Sequence, residues 1–463
     1  MNYSIFSCIA PAMPRPSKGT EFIKFLLSKA SKEMKQALVP MALPAVSARL
    51  AGMKAKYSDN KYYEMCGQMG HLIGSSGIGK GQLTHLIEAI MEPAREHDTL
   101  EYQKLTEWQR QMKTRGANKE KPERPEVCFW FPPADLTNPA FLQNAMALEN
   151  QGGLTQYLNL PEVEMADTMF GSHRKVSQMV RNIYDCQRAG ALRATAEGVT
   201  GNPTMRVNIT FSSTPDAARA FYRKDLTNGF FGRIPFAFIP RGERVGRIPQ
   251  QGTYSDEFKA QLQEYLARLD HCHGEYVIPQ LNKVANQLAK EMASIADLAD
   301  DDTLFELSHR SIFAAWKKGV VLWALNGQEW TKSIGDFVEW FCYFDLWSKV
   351  RVFGKLLFNC HDEDEDDEEG TLKRGPQNML DLLDDTFTEE QLTALRVELG
   401  KGKTRAKRQI SLWKSRGYIT YDSGTKLYAK TQMYLDLVNR ASSPKKAQKA
   451  KAKKAAETEP SDE

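Results

Sequence analysis

The apolar positions follow a helical period near the N-terminus and change to short apolar runs further along the chain. Residues 1–60 are predicted to be mostly helical, because apolar side chains recur there about every 3.6 residues. The positions on that face are Phe22, Phe25, Leu26, Ala30, Met34 and Leu38. From about 65 to 240, apolar runs alternate with helical stretches, which is typical of an α/β sheet domain. The candidate strands are MGHLI (69–73), EVCFWF (126–131), LTQYLNL (154–160), RVNITFSS (206–213) and IPFAFI (234–239).

Beyond Pro249 the apolar pattern is helical as far as about residue 355, and no strand is predicted in this block. Its last stretch is too aromatic for a solvated face and indicates core or subunit interface; the residues are Trp340, Phe341, Tyr343, Phe344 and Trp347. Eight consecutive acids then occupy 362–369, where nothing apolar can be buried, so a flexible linker is predicted. The Lys-rich residues 443–463 are predicted to be a disordered tail.

The stretch 376–433 has the pattern of a small winged helix-turn-helix domain. A helix (QNMLDLLDD), a second helix capped by Thr388, a third from Thr404 to Ser415 and two short strands (YITYD, KLYAK) follow one another. The third helix and its flanks carry seven bases and no acid, which favours phosphate contacts to DNA over protein binding. The bases are Lys401, Lys403, Arg405, Lys407, Arg408, Lys414 and Arg416.

The net charge hides this basic end. The chain has 463 residues, which corresponds to about three domains. Its 62 Lys and Arg against 58 Asp and Glu give +4, and removing the eight linker acids raises the sum to +12. No apolar run is long enough to cross a bilayer and no signal peptide is evident, so we expect a cytoplasmic protein without membrane contact.

The cysteines indicate neither a disulfide framework nor a zinc finger. They number seven, are widely scattered and include no Cys-x-x-Cys pair. The one local cluster with ligand chemistry, His271-Cys272-His273, is expected to be a solvated turn because neighbouring side chains diverge.

The strongest chemical signal is a glycine-rich loop between the strand MGHLI and the amphipathic helix QLTHLIEAIM. Such loops bind phosphate because glycines let backbone N–H groups converge on an anion, the helix presents its positive end, and a lysine neutralises the β- and γ-phosphates. The predicted ATP-binding residues are Gly74, Ser75, Ser76, Gly77, Ile78, Gly79, Lys80, Gly81 and Gln82. Gly81 replaces the hydroxyl residue that usually contacts Mg²⁺, a place that water or Thr84 would fill.

An ATPase also needs carboxylates at the end of a second strand. Glu162, Glu164 and Asp167 follow the apolar run that ends at Leu160. One of them, Glu162 or Glu164, would hold Mg²⁺ through water, and another would orient the attacking water.

Two further segments suit the same reaction. Ser212, Ser213 and Thr214 end the strand RVNITFSS, where they would sense a γ-phosphate or form a turn. Arg233 lies between a glycine turn and the strand IPFAFI, and is a candidate finger on a neighbouring subunit's ATP, or else a surface arginine or a carboxylate clamp.

The order of these segments resembles a family of P-loop proteins of bacterial mobile elements and prophages. The segments are Gly-x4-Gly-Lys-Gly, FWFPPADLTNPAFLQNAMALENQGG, PEVEMADT, RKVSQMVRNIYDCQ, RVNITFSSTP and NGFFGRIPFAFIP, within residues 40–345. Members of the family are domains of unknown function, often beside primase domains, and glycine also follows the loop lysine in them. The resemblance implies an oligomeric RecA-like or AAA-like ATPase acting on DNA. By position, Lys80 would be its loop lysine, Glu162, Glu164 and Asp167 its acidic cluster, and Arg233 its strand arginine.

Together these observations predict an α/β protein with a RecA/AAA-like P-loop NTPase core, helical N-terminal and middle segments and a C-terminal winged helix-turn-helix. The predicted segments are 1–60 (helical), 61–245 (ATPase), 246–360 (helical), 361–370 (linker), 371–440 (winged helix) and 441–463 (tail). The expected function is a helicase-like, ATP- and Mg²⁺-dependent DNA motor of a mobile element or prophage, a homo-oligomer with a possible separate primase partner. The alternatives are a non-motor replication initiator or partition-like factor whose assembly ATP switches, and a degenerate P-loop scaffold.

Overall fold

The computed structural model describes residues 9–115, 120–170, 176–194, 198–226, 229–241, 253–358 and 377–442. The predicted acidic linker (361–370) and the lysines of the predicted tail lie outside these residues. The chain is a mixed α/β protein, about 54% helical, with a parallel sheet of four strands. None of the helices within the described ranges has the length and apolar character needed to cross a membrane.

Seventeen helices can be assigned in the described residues: α1 (Glu21–Leu27), α2 (Leu38–Ser47), α3 (Gly81–Ile90), α4 (Glu92–Thr114), α5 (Asn138–Asn150), α6 (Met165–Phe170), α7 (Val176–Tyr184), α8 (Pro215–Tyr222), α9 (Phe230–Arg233), α10 (Asp256–Ala267), α11 (Pro279–Ala299), α12 (Asp302–Leu325), α13 (Lys332–Leu357), α14 (Met379–Leu382), α15 (Glu389–Glu398), α16 (Ala406–Ser415) and α17 (Gln432–Ser442). The strands are β1 (Met53–Lys56), β2 (Tyr62–Glu64), β3 (Met69–Gly74), β4 (Gln156–Leu160), β5 (Val207–Ser213), β6 (Phe236–Ile239), β7 (Gly274–Val277), β8 (Thr386–Phe387), β9 (Ile419–Asp422) and β10 (Leu427–Lys430).

The chain divides into two compact units. The first, here called the sheet unit, comprises Ala12–Asn286 and His309–Phe353. The second, the C-terminal unit, comprises Gln287–Ser308 and, among the described residues outside that range, 9–11, 354–358 and 377–442. This division differs from the six segments of the sequence analysis, because residues 287–308 of α11 and α12 group with the C-terminal elements.

The main sheet of the sheet unit has the strand order β4-β5-β3-β6, and all its pairings are parallel. Four of the five predicted strands are confirmed. The fifth, residues 126–131, is not a strand, because the carboxylate of Asp98 accepts the N–H groups of Trp130 and Phe131 at 2.9 and 2.8 Å. The carbonyl of Trp130 accepts the N–H of Tyr157 in β4 at 2.8 Å, and no other backbone bond between 126–131 and β4 is present among the described residues.

A second, smaller sheet in the sheet unit has the order β2-β1-β7. β7 pairs in parallel with β1 over Met53↔Gly274 to Lys56↔Val277. The prediction that 255–355 contains only helices is therefore wrong at Gly274–Val277. Each of these strands has four residues or fewer and no long apolar run, so its pattern does not distinguish it from a loop.

The N-terminal segment is less helical than its apolar period predicts. α1 ends at Leu27, and α2 begins only at Leu38 and runs through Pro40 and Pro44. All ten residues of α2 are buried against the main sheet, where a Cβ on Gly70 would lie 2.9 Å from the sulfur of Met41. The close approach of helix and strand, more than local propensity, thus fixes α2.

In the C-terminal unit, β8, β10 and β9 form an antiparallel sheet beside α15, α16 and α17. The predicted cap of α15 is confirmed, since Thr388 and Gln391 form a reciprocal capping box. The third helix was predicted to begin at Thr404, but α16 begins at Ala406, after Arg405, and has no side-chain cap. Strands β9 and β10 match YITYD and KLYAK, whereas β8 and α17 were not predicted. The hydrophobic core of this unit contains Trp413, Leu392 and Phe387, together with Leu298 of α11.

Candidate functional site

The glycine-rich loop follows β3, whose six residues are all buried. The loop turns through positive φ at Gly77 (77°) and Gly79 (94°), conformations that favour glycine. Among the residues that the structure describes, the backbone N–H groups of Gly79, Lys80 and Gly81 have no protein acceptor. Gly79 and the N-cap residue Lys80 lead into Gly81, the first residue of α3. The helix has no side-chain cap, so its positive end is available to an anion.

Lys80 lies over this loop and joins two strands. Its Nζ donates to the carbonyl oxygen of Gly74 at 2.6 Å and to that of Ser213, the last residue of β5, at 3.0 Å. Burial lowers the pKa of Lys80, and the charge of Glu162 opposes that shift. The ammonium is thus held at the carboxyl end of the sheet, where parallel α/β sheets bind ligands.

The three predicted acids separate into two groups. Glu162, exposed just beyond β4, is the carboxylate whose charge acts on Lys80. Asp167 lies in α6, where partial burial and then the charges of Glu164 and Asp225 raise its pKa. Of the three acids, Glu162 is therefore the one whose charge reaches the loop lysine, whereas Asp167 is influenced by Glu164 and Asp225.

Gln82 does not point its side chain to the loop. Its amide accepts the N–H of Ser31 at 3.0 Å and donates to the carbonyl of Lys29 at 3.0 Å. Its backbone N–H is bonded to the carbonyl of Gly79. The side chain of Gln82, predicted as a nucleotide contact, thus anchors the segment after α1.

A buried polar chain that sequence reasoning missed lies beneath the lysine. The His71 ring is hydrogen-bonded through Nε2 to the hydroxyl of Ser213 (2.8 Å) and through Nδ1 to that of Tyr222 (2.9 Å). Burial, with a smaller effect of the Lys80 charge, lowers the pKa of His71 to about 3, so the ring is neutral. The only sequence signal was a histidine inside an apolar strand.

The polar residues that end β5 have structural partners. The hydroxyl of Ser213 is bonded to His71, and that of Thr214 caps α8 by accepting the N–H of Ala217 at 3.3 Å. Ser213 therefore faces Lys80 with its carbonyl oxygen and not with its hydroxyl.

Arg233 lies at the opposite edge of the main sheet from Lys80. The register His71↔Phe236 and Gly74↔Ile239 puts Arg233, which precedes β6, at the amino end of the strands. Its guanidinium is paired with Asp185 at 3.0 Å and its side chain is 16% exposed. Within one chain, Arg233 therefore binds a carboxylate, which is one of the alternatives that the sequence analysis gave for it. It lies at the end of the strands opposite the glycine-rich loop.

The seven bases of the C-terminal unit do not form one free face. Arg416 is paired with Asp297 at 2.7 Å, Arg405 with Asp302 at 3.2 Å, and Lys401 donates to the carbonyl of Asp300. Lys414 lies over the rings of Tyr421 and Tyr428. Of the seven bases, the exposed ones with neither an ion pair nor a ring contact among the described residues are Lys403, Lys407 and Arg408.

Comparison with known proteins assigns this chain to no protein family. No protein-family model matches the chain, and no curated protein matches it closely enough to count as a relative.

Proposed function

We propose that this protein is an ATP-dependent, DNA-acting motor, helicase-like in class, with a RecA/AAA-like P-loop core and a C-terminal winged helix. The observation that carries the proposal is the pairing of two groups at the carboxyl end of the sheet, the unpaired N–H groups of Gly79, Lys80 and Gly81 and the ammonium of Lys80. A third group, the carboxylate of Glu162 just beyond β4, acts on that ammonium through its charge. An anion-binding backbone, a cation and a nearby acid are what phosphoryl transfer needs.

The residues present suit ATP and Mg²⁺. Ser76 and Gly77 of the loop are exposed and Ser75 is half-buried, so a phosphate group would approach the loop at these residues. The lysine would bind β- and γ-phosphate oxygens, giving up the carbonyl oxygens it now contacts. Glu162 would hold Mg²⁺ through water or accept a proton from the attacking water. Mg²⁺ would supply charge neutralisation at the phosphates.

DNA binding rests on the C-terminal unit. Lys407 and Arg408 lie on the exposed side of α16, opposite Ile410 and Trp413, as expected of a helix that contacts a phosphate backbone. Lys403 precedes the same helix. The expected homo-oligomer, the mobile-element origin and a separate primase partner remain part of the proposal, from the resemblance alone.

The test is DNA-stimulated ATP hydrolysis by the full-length protein and by two matched lysine variants. Lys80→Ala should abolish hydrolysis, whereas Lys113→Ala, an exposed lysine in the last turn of α4, should leave it unchanged. Displacement of one strand from a forked duplex should require ATP and Lys80. Equal hydrolysis in the wild type and Lys80→Ala would refute the proposal.

One observation favours a second function, a DNA-binding protein whose assembly ATP switches. Gly81 has no hydroxyl for Mg²⁺, which would slow hydrolysis more than binding. In that case ATP would change the oligomeric state, measured by light scattering, while strand displacement would not occur.

A further inference from the structure

Two cysteines that are far apart in the chain meet in the sheet unit. Cys66 lies between β2 and β3, and Cys186 follows α7. Their Sγ atoms are 2.7 Å apart, although 120 residues separate them. The Cys66 side chain is buried and Cys186 is half-buried. Cysteine spacing alone did not indicate this pair, because neither residue belongs to a local cysteine motif.

The backbone on both sides holds the two thiols in place. Gly67 has a φ of +67°, and a Cβ there would lie 2.6 Å from the carbonyl oxygen of Tyr184 and 2.7 Å from that of Ile183. Cys186 itself has a φ of 49°, an uncommon conformation for a residue with a side chain. The N–H of Cys186 donates to Ile183 at 3.1 Å. Close backbone contact, not chance side-chain rotation, therefore brings the sulfurs together.

Charges around the pair differentiate the two thiols. Lys317 Nζ donates to the carbonyl oxygen of Cys66 at 3.0 Å, and the Arg206 guanidinium lies nearby on Glu64. The hydrogen bond from Cys66, then the charges of Lys317 and Arg206, lower the pKa of Cys186 against the effect of burial. The same hydrogen bond and burial raise the pKa of Cys66. Cys186 is therefore the more acidic thiol of the pair and the one that ionises first to the nucleophilic thiolate.

The same surroundings disfavour a metal ion. Glu64, Cys66 and Cys186 offer three ligand atoms within 4.8 Å of one another. However, both carboxylate oxygens of Glu64 already accept from Arg206, at 2.7 and 3.1 Å. A divalent cation would displace that pair and lie close to two positive side chains. Thiol oxidation meets neither obstacle.

We propose that Cys66 and Cys186 form a reversible disulfide on exposure to a peroxide. The Cys186 thiolate attacks one oxygen of hydrogen peroxide, which gives Cys186 sulfenic acid and hydroxide. The Cys66 sulfur then attacks the Cys186 sulfur and displaces a second hydroxide. The thiol proton of Cys66 and the proton that Cys186 released on ionising convert the two hydroxides to water. In sum, two thiols and one peroxide give one disulfide and two waters, and a dithiol reductant reverses the change. The bond would join the amino end of β3 to the end of α7, at the sheet edge opposite Lys80.

The test is peptide mapping of the reduced full-length protein after treatment with a slight excess of hydrogen peroxide. Unfolding in the presence of iodoacetamide labels every remaining thiol, and trypsin without reductant then releases residues 62–80 and 182–188, each with one cysteine. We expect these two peptides to be linked, with about tenfold less alkylation at Cys66 and Cys186 than at buried Cys128 in the same digest. Dithiothreitol should restore both labels.

Two variants make the test independent of folding and of ATP hydrolysis. In Cys66→Ser, Cys186 should stop at the sulfenic acid, which dimedone traps; in Cys186→Ser, Cys66 should stay alkylatable. Cys128→Ser is the matched control and should retain the linkage. Equal alkylation of Cys66, Cys186 and Cys128 after peroxide, or linkage of either cysteine to other partners, would overturn the proposal. So would stoichiometric zinc that both serine variants lose.

Discussion

The Lys80 ammonium lies 3.0 Å from the carbonyl oxygen of Ser213, so the glycine-rich loop after β3 is joined to the end of β5. The hydroxyl of the same serine is bonded to His71 in β3. A ligand that drew Lys80 away from Ser213 would therefore act on a residue tied to the interior of the sheet. The roles of Lys80, Glu162 and His71 can therefore be tested by separate substitutions.

The first prediction distinguishes the acids. Glu162→Gln should lower kcat for ATP hydrolysis by about 100-fold, because a positioned acid–base group contributes roughly that much. Nucleotide binding should persist, since Lys80 and the loop N–H groups are unchanged. Glu164→Gln is the matched control, as its charge acts on Asp167 and not on Lys80. Steady-state kinetics and fluorescent-nucleotide titration measure the two quantities, and equal losses in both variants would contradict the assignment.

The second prediction concerns acid stability. The pKa of His71 is about 3 in the folded protein against 6.5 for an unperturbed histidine, so the unfolded chain binds the proton more readily below pH 6.5. The contribution of His71 to the free energy of unfolding is then fully present above pH 6.5 and is lost as the pH falls toward 3. At pH 4.5 the loss from this group is about 2–3 kcal/mol in the free energy of unfolding.

Urea unfolding at pH 7 and pH 4.5 measures that loss. His71→Gln should be less stable at pH 7, where it breaks the bonds to Ser213 and Tyr222, and should lose less stability on acidification. His85→Gln, an exposed position on α3, should keep the wild-type pH dependence. If His71→Gln kept the full acid dependence, another group would be responsible.

The local pattern of apolar residues and glycines correctly predicted the elements whose structure depends mainly on neighbouring residues. The strand MGHLI, its glycine-rich loop and the helix after it appear in the sequence as one continuous signal. The strand predicted at 126–131 was wrong because a distant carboxylate, Asp98, takes its N–H groups. β7 was missed because its partner β1 lies more than 200 residues earlier.

Long-range pairing also explains what the site analysis missed. Arg405 and Arg416 form ion pairs with Asp302 and Asp297, which lie about 100 residues earlier in the chain, in α12 and α11. The Gln82 amide contacts a segment 50 residues upstream, and Cys66 and Cys186 are 120 residues apart. A single sequence gives residue types and spacing, whereas these contacts depend on how distant elements pack.

The third prediction separates free bases from paired ones. The double variant Lys407→Ala/Arg408→Ala should weaken binding to duplex DNA and reduce the slope of log affinity against log salt by about two. Asp297→Asn, which releases Arg416, should tighten binding at low salt and steepen the slope by about one. Lys332→Ala, far along the chain in α13, is the control. Fluorescence anisotropy at several salt concentrations measures both. An unchanged salt slope in the double variant would exclude α16 as the DNA contact.

The fourth prediction addresses Arg233. Because it lies at the sheet edge opposite Lys80, it can act on ATP only in a neighbouring subunit, and its guanidinium must first leave Asp185. Arg233→Ala and Lys80→Ala should each abolish hydrolysis alone. Mixed in equal amounts, they should regain about a quarter of the wild-type rate, because in a head-to-tail assembly one interface in four joins an intact loop to an intact arginine.

Asp185→Asn is the control for this mixing experiment. It frees Arg233 without removing it, so hydrolysis should be retained or increased. Thermal melting of each variant shows whether loss of the Arg233–Asp185 pair alone unfolds the sheet unit. Recovery in the mixture requires folded subunits and contact between them, so it cannot arise from a clamp that acts only within one chain. No recovery, with both variants folded and co-assembled, would leave Arg233 as the partner of Asp185 and remove it from the reaction.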